Sequence, residues 1–295
     1  MIHLVYPHGE RRVAPWSIGN NLTTALTAAG YDVVNHDWTD TETITPNSTD
    51  ILIGHPHPEP GRIFGNSLGG DWRRTIAMTP WGGLPLTEQM VDTVLPRVDK
   101  VALICGQTWA ERVPARWAGK AFAVNMAIDR ADYPRIKKTF RSPGNRNVLY
   151  VGCSAPAKGT QRLTALGALG VDIIHMGTGN IPGTYRAGYL DTTGDAARTV
   201  ARQCDFLIAP GTNDANPTTV LEAASWGLLP MCTDGAGWGT DVCIRIPDDP
   251  EGMATVIRWY QTAPVDILDE RRARIDVALG GYTWDNFCRA IVTLI

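Results

Sequence analysis

Two carboxylates, Asp214 and Glu222, have the spacing in this chain that best suits a ligand site. Asn216 is a favourable N-cap and Pro217 suits the first helical position, so a helix is predicted to begin between the two acids. Gly227 is a natural residue just past the end of that helix. Because the first amides of a helix have no partner within it, they and the helix dipole favour an anion there.

Glu222 lies about one and a half turns into this predicted helix. A carboxylate accepts hydrogen bonds from two adjacent hydroxyls, which is the arrangement that a ribose presents. Asp214 is predicted at the mouth of the same site, and Thr218 at the start of the helix. The alternative is that Asp214 only helps to cap the helix and that Glu222 is a satisfied structural acid. Spacing alone leaves both interpretations open.

Lys158 is a second candidate, because it lies between a predicted strand, 148–151, and a predicted helix, about 160–169. A lysine at the start of a helix adds a point charge to the free amides there, which favours binding of an anion. Gly152 and Cys153 directly follow the strand in the same segment. The alternative is an exposed, solvated lysine.

The elements that must position these residues alternate between strand and helix from the first residue. Strands are predicted at 2–6, 31–34, 50–54, 101–105, 121–124, 148–151, 171–176, 206–209 and 228–232. Helices are predicted at 18–29, 87–97, 107–113, 160–169, 194–203, 217–226 and as a series over 251–294. This alternation predicts parallel sheets with helices on both faces, and ligands bind outside the carboxyl ends of such strands. The polar stretch 141–146 is the best linker candidate.

The chain resembles the family-four retaining glycosyltransferases, in which two glutamates have the spacing of Asp214 and Glu222. Asp214 replaces the first glutamate of that pattern. Residues 148–159 resemble the family's strand–G-R-x-x-x-x-K-G–helix segment, in which Lys158 matches the lysine and Cys153 stands where an arginine is expected. Weaker matches occur in the family's order at 124–129, 177–179, 229–235 and 282–285. The resemblance covers roughly residues 120–295.

This resemblance implies an α/β GT-B fold: two Rossmann-like domains with parallel sheets that face each other across a cleft. The expected domains are an N-terminal acceptor-side domain at 1–143 and a C-terminal nucleotide-sugar domain at 144–280. A terminal helix at 281–295 is expected to pack back on the N-terminal domain.

The resemblance also implies transfer of a hexose-type sugar from a nucleotide diphosphate donor, with retention at the anomeric carbon and without a required metal or other cofactor. Glu222 is then expected to hold the ribose, Lys158 the diphosphate and Asp214 the hydroxyls of the donor sugar. The remaining expected contacts of the nucleotide sugar are Gly19, Gly152, Cys153, Gly177, Asn216 and Thr218.

The N-terminal half has less specific signals. Gly19 is predicted at a helix start after the first strand, where it allows close approach of a phosphate. His55 and His57 follow the strand 50–54, and in the resembled family a histidine at about this place faces the reacting sugar. The H-x-H spacing also suits a metal, but the nearby sequence offers no third ligand. Arg11 and Arg12 are interpreted as solvated rather than phosphate-binding.

Composition narrows the class of protein. The chain has 295 residues and a formal net charge of -3, which is not the basic footprint of a general nucleic-acid binder. No apolar run approaches the ~20 residues that span a membrane, and no signal peptide is recognised. Six scattered cysteines without C-x-x-C spacing indicate reduced thiols, so a cytoplasmic location is expected.

Two rival functions remain at this stage. One is a GT-B nucleotide-sugar epimerase or an inverting transferase. The other is a non-catalytic nucleotide-sugar-binding module, which the cysteine at position 153 favours. The choice between UDP and GDP stays open, as does the acceptor: a glycan, lipid, protein, small molecule or modified nucleic-acid base.

Overall fold

The structure is a computed structural model that describes residues 1–8 and 14–295. Arg11 and Arg12 lie outside the described residues. The chain divides into two compact units, of which the first comprises Met1–Met126 and Trp284–Ile295 and the second Ala127–Thr283. Residues 127–143, which the sequence assigns to the first domain, therefore lie in the second unit.

The first unit contains a six-stranded parallel sheet in the order β2-β1-β3-β4-β5-β6. Its strands are β1 (Ile2–Tyr6), β2 (Val33–Asp37), β3 (Ile51–Gly54), β4 (Arg74–Pro80), β5 (Lys100–Ile104) and β6 (Ala121–Val124). Its helices are α1 (Ala14–Ala28), α2 (Ile63–Ser67), α3 (Pro85–Val94), α4 (Gly106–Ala110) and α10 (Trp284–Val292).

Burial explains why these segments form a sheet. Every residue of β1 and of β3 is buried, as expected for parallel strands covered by helices on both faces. Three tryptophans pack edge to face in the core, with Trp81 centred 5.7 Å from Trp109 and 5.5 Å from Trp117. The terminal helix α10 buries Phe287, Cys288 and Ile291 and packs against α1.

The second unit contains another six-stranded parallel sheet, in the order β12-β11-β10-β7-β8-β9. Its strands are β7 (Val148–Val151), β8 (Ile173–Met176), β9 (Tyr185–Gly188), β10 (Phe206–Ala209), β11 (Leu229–Cys232) and β12 (Ile244–Arg245). Its helices are α5 (Thr160–Ala168), α6 (Asp195–Ala201), α7 (Thr218–Trp226), α8 (Pro250–Thr262) and α9 (Val265–Leu279).

Residues 127–147 are held to the second sheet by buried charges. The ammonium of Lys137 lies 2.8 Å from the carboxylate of Asp205, and both side chains are almost fully buried. Arg146 is buried as well and donates hydrogen bonds to the backbone carbonyls of Tyr260 and Ala263. The predicted linker 141–146 is thus an ordered part of this unit.

Several sequence predictions need correction. Helix α1 begins at Ala14, so Gly19 lies inside the helix and not at its start. Helix α7 has Pro217 as its N-cap and begins at Thr218, one residue later than predicted. Strand β4, which lies near the centre of the first sheet, is absent from the sequence prediction.

Candidate functional site

The second sheet has a switch point between β7 and β10, where the strand order reverses. The two strands are direct neighbours, with Val148 paired to Phe206. Chain connections leave these two strands in opposite directions, so the segments that follow their carboxyl ends flank one crevice. Lys158 follows β7 and Asp214 follows β10.

Lys158 and Asp214 meet at this switch point. The Nζ atom of Lys158 lies 2.6 Å from Oδ1 of Asp214, which is a charge-assisted hydrogen bond. The lysine side chain is 36% exposed and the aspartate side chain 13% exposed. The structure therefore brings together two of the predicted site residues that are 56 positions apart in the sequence.

The two loops that carry this pair are also joined by their backbones. The amide of Thr212 donates to the carbonyl of Ala157 over 3.2 Å. Gly159 has φ of 74°, and a Cβ there would lie only 2.0 Å from the carbonyl oxygen of Pro210. This close approach requires glycine, because any side chain would displace the loop after β10.

The start of α7 has an unusual backbone. Asn216 is buried and has φ of 54°, and among the described residues other than glycine it alone has a positive φ. Asparagine tolerates this left-handed conformation better than most residues do. The turn sets Pro217 as the N-cap of α7, and the carbonyl of Pro217 accepts a hydrogen bond from the indole of Trp238.

Glu222 is buried in α7 and surrounded by hydroxyl groups. Hydrogen bonding by the hydroxyls of Thr218, Thr192 and Tyr133 favours the ionised carboxylate and lowers its pKa. Burial raises the pKa of Glu222 to about 7, against the lowering effect of these three donors. A carboxylate has about four acceptor sites, which is more than the three neighbouring hydroxyls can fill.

Thr192 and Tyr133 are missing from the sequence-based site. Thr192 lies between β9 and α6, and Tyr133 lies in the segment before β7. The tyrosine hydroxyl is 3.3 Å from the threonine hydroxyl, and the two rings of Tyr133 and Trp226 lie 6.0 Å apart. A hydroxyl in a loop has no spacing signal in the sequence, so only the fold reveals these partners of Glu222.

The predicted site glycines after β7 and β8 lie against each other. A Cβ on Gly177 would lie 1.8 Å from the carbonyl oxygen of Gly152. That same carbonyl accepts a hydrogen bond from His175 Nε2 over 2.9 Å. Cys153 is exposed, and its carbonyl accepts a hydrogen bond from the hydroxyl of Tyr150. Its side chain offers no guanidinium, so this position has no bidentate phosphate donor.

The first sheet also has a switch point, between β1 and β3, and His55 follows β3 there. His55 is buried, and its Nδ1 lies 2.8 Å from the carbonyl of Pro56. Since a carbonyl only accepts, Nδ1 carries the proton and Nε2 is left as an acceptor. Burial lowers the pKa of His55 to about 4, so the ring is neutral at pH 7.

One aromatic ring contacts both of the histidines that follow β3. Trp38 lies edge-on to both, with ring centres 5.4 Å from His55 and 4.9 Å from His57. His57 Nδ1 accepts a hydrogen bond from the amide of Glu59. Among residues 1–8 and 14–295, the structure shows no group of three or more side chains arranged to hold a metal ion.

Gly19 lies in the same unit, where it permits close packing. A Cβ at this position would lie 2.5 Å from Cβ of Tyr6, the last residue of β1. The close approach that the structure shows is therefore between α1 and the end of β1. Contact of Gly19 with a phosphate stays a prediction.

Comparison with known proteins gives structural matches alone. No protein-family model matches the chain, and no curated protein matches it by sequence. The fold is similar to that of a sucrose-phosphate synthase from Thermosynechococcus elongatus, with a TM-score of 0.65, 13% identity, and coverage of 99% of this chain and 97% of that one.

Two further structures are similar at low identity. A trehalose-6-phosphate synthase has a TM-score of 0.63 at 10% identity, with 99% of this chain and 98% of that chain covered. TarM has a TM-score of 0.65 at 10% identity; the match covers 95% of this chain but spans only 58% of TarM.

These neighbours are GT-B glycosyltransferases. In the described residues no helix has the length and apolar character needed to cross a lipid bilayer. Both sheets of the present chain are parallel and six-stranded, with helices between the strands, as expected for the fold of these neighbours. The chain therefore has the α/β GT-B fold of the glycosyltransferases.

Proposed function

We propose that this protein is a retaining glycosyltransferase that moves a hexose-type sugar from a UDP- or GDP-linked donor to an acceptor hydroxyl. The observation that carries the proposal is the pairing of Lys158 with Asp214 at the switch point of the second sheet. Open α/β sheets bind their ligands at this place. The glycosyltransferase structures with the same fold support the reaction class.

In this proposal the nucleotide lies on the second unit. Glu222 accepts a hydrogen bond from the ribose, with Thr218 beside it at the start of α7. Lys158 and the amides that begin α5 stabilise the diphosphate, with Gly152, Cys153 and Gly177 lining the approach through their backbones. Negative charge grows on the diphosphate as the glycosidic bond breaks, so fixed positive charge there stabilises the transition state.

The roles of the remaining candidates follow from their chemistry. Asp214 accepts hydrogen bonds from hydroxyls of the donor sugar, and Asn216 shapes the turn that presents the first amides of α7. His55 offers Nε2 as an acceptor for a sugar hydroxyl, and the ring of His57 contacts the same Trp38. The trehalose-6-phosphate synthase is a precedent in this fold for transfer with retention. The proposal requires no metal.

The direct test is a binding and turnover screen. UDP, GDP and their hexose derivatives are added to the protein, and melting temperature, donor hydrolysis and transfer are measured. A ligand present at about 100 times its Kd stabilises the native state by about 2.7 kcal/mol. No shift and no turnover with any of these compounds would reject the proposal, whereas an inverted product would reject only retention.

The variant Lys158→Ala is tested in the same screen. We expect a loss of roughly 100-fold in kcat, the scale for removing one fixed donor from a developing charge. Lys138→Ala is the control, because Lys138 is an exposed lysine of the same unit. Equal effects of the two substitutions would place the chemistry away from Lys158.

One observation favours a second candidate, a nucleotide-sugar-binding module without turnover. Cys153 is exposed and lacks the guanidinium that the resembled family has at this position. Cys153→Arg separates the two functions. In a weak transferase it is expected to raise turnover, whereas in a binding module it raises affinity and turnover stays absent.

A further inference from the structure

The carboxylate of Asp214 is hydrogen-bonded to Lys158, the lysine that the diphosphate of the proposed donor would bind. Lys158 Nζ is 2.6 Å from Asp214 Oδ1, at the short end of charge-assisted hydrogen bonds. The aspartate is the more buried partner of the pair. A diphosphate that reaches Lys158 must therefore compete with an internal anion.

The backbone holds Asp214 in this position. Its amide donates to the carbonyl of Gly235 over 2.9 Å. A Cβ on Gly211 would lie 2.5 Å from Cβ of Asp214, so the loop is closed tightly around the aspartate. The carboxylate is thus positioned by the fold rather than by the lysine alone.

Arg162 fixes the same loop from the side of α5. Its Nη1 donates to the carbonyl of Pro210 over 2.8 Å, and its Nη2 lies 3.0 Å from Asp248. With the backbone bond from Thr212 to Ala157, the loop after β10 is connected both to α5 and to the loop after β7. These contacts hold the segments that carry Lys158 and Asp214 against each other.

We propose that Asp214 acts as an internal competitor of the diphosphate for Lys158. It holds the ammonium of Lys158 in place before the donor binds. Its negative charge also weakens the binding of the nucleoside diphosphate that must leave after transfer. This inference rests on the proposed function, because it assumes that a diphosphate binds at Lys158. It adds a role in product release to the sugar contact proposed for Asp214.

The direction in which one substitution changes the affinity for diphosphates tests this inference. Asp214→Asn keeps the shape of the side chain and removes its charge. We expect inorganic pyrophosphate, UDP and GDP to bind on the order of tenfold more tightly, the scale of one near-surface charge interaction. The kcat is expected to fall while KM falls with it, because product release slows. Uridine and guanosine, which lack phosphate, are expected to bind as they do to the wild type.

The control is Asp195→Asn. Asp195 belongs to the same unit and also forms an ion pair, with Arg198 at 3.0 Å, so its substitution changes the net charge by the same amount. It is expected to leave pyrophosphate affinity unchanged. Asp214→Ser removes the same carboxylate with a smaller side chain and has the same expected sign, which keeps the test valid if the asparagine variant folds poorly.

Calorimetric titration distinguishes the outcomes. Tighter binding of pyrophosphate to the Asp214 variants supports the inference, because a merely structural defect would weaken binding. Unchanged or weaker binding overturns it and leaves the proposed function standing, provided that the wild type binds UDP or GDP. If the wild type binds no diphosphate at millimolar concentration, the proposed function and this inference both fail. In the Lys158→Met background the effect of Asp214→Asn should be smaller, because only the direct repulsion between Asp214 and the diphosphate remains.

Discussion

Thr218 and Glu222 lie one turn apart on α7, and hydrogen bonding by the threonine hydroxyl lowers the pKa of the glutamate. The pair joins the first residue of the helix to a buried acid whose other donors come from distant loops. The start of α7 and the segments around Thr192 and Tyr133 are therefore tied to a single ionisable group. The charge state of that group is expected to affect both stability and binding.

Stability should depend on pH through Glu222. Its pKa rises from the usual 4.5 to about 7 in the folded protein. As pH rises from 4.5 to 7, the unfolded chain ionises first, so the free energy of unfolding falls by about 3 kcal/mol from this group. Glu222→Gln removes this fall. Urea unfolding between pH 4.5 and 8 checks it, and parallel curves for wild type and variant would contradict it.

Nucleotide binding should release a proton near pH 7. A ribose hydroxyl that donates to Glu222 stabilises the carboxylate, so binding lowers its pKa below about 7. Calorimetry of UDP or GDP at pH 7, repeated in buffers with different ionisation enthalpies, gives the number of protons released. We expect a fraction of one proton for the wild type and none for Glu222→Gln. Equal values for both proteins would exclude Glu222 as the group that titrates.

His55 should remain neutral with its proton on Nδ1. NMR of the imidazole nitrogens at pH 6 is expected to show a protonated Nδ1 and an unprotonated Nε2. Because the pKa falls from 6.5 to about 4, the unfolded chain binds a proton first as pH falls through this range. The free energy of unfolding is then expected to drop by about 3 kcal/mol between pH 7 and pH 4. His55→Gln should remove this drop, and His57→Gln should keep it.

The buried pair of Lys137 and Asp205 should be essential to the second unit. Lys137→Met leaves the carboxylate of Asp205 buried without its counter-ion, at an expected cost of about 3–5 kcal/mol in the free energy of unfolding. Denaturant unfolding measures this cost. Lys138→Met, at the exposed neighbouring position, is expected to change stability by less than about 0.5 kcal/mol.

Gly177→Ala should disrupt the loop contact after β7 and β8. The new methyl group would lie 1.8 Å from the carbonyl oxygen of Gly152, so the backbone must shift, at a cost of about 1–3 kcal/mol. Gly65→Ala is the control, because a Cβ there meets no atom within 4 Å and the residue lies in α2. Similar melting temperatures for the two variants would show that the Gly152 loop yields easily.

Much of the architecture is readable from the sequence because parallel strands buried on both faces are continuous apolar runs. Residues 2–6 and 206–209 are such runs, and both are strands in the structure. Strand β4 is not a continuous apolar run, because Thr75 and Thr79 flank its apolar residues and Pro80 ends it. Its place in the sheet comes from pairing with β3 and β5, which is a tertiary effect.

The candidate site divides in the same way. Lys158 and Asp214 are predictable because each follows a strand end, although their direct contact is not. Two of the hydroxyls that act on Glu222 come from separate segments, and no local pattern links Tyr133 to Thr192. The start of α7 is predicted one residue early, since the left-handed turn at Asn216 takes the place of a side-chain cap. The predicted functional roles of these residues stay predictions.

The packing of α10 on α1 makes the first unit discontinuous along the chain. During translation the strands of that unit are synthesised early, whereas α10, which packs on α1, is synthesised only after the whole second unit. The apolar face formed by Phe287 and Ile291 is therefore missing while the rest is synthesised. Until α10 has been synthesised, the face of α1 that it covers stays exposed in the nascent first unit. Removal of α10 should therefore impair folding far more than its length suggests.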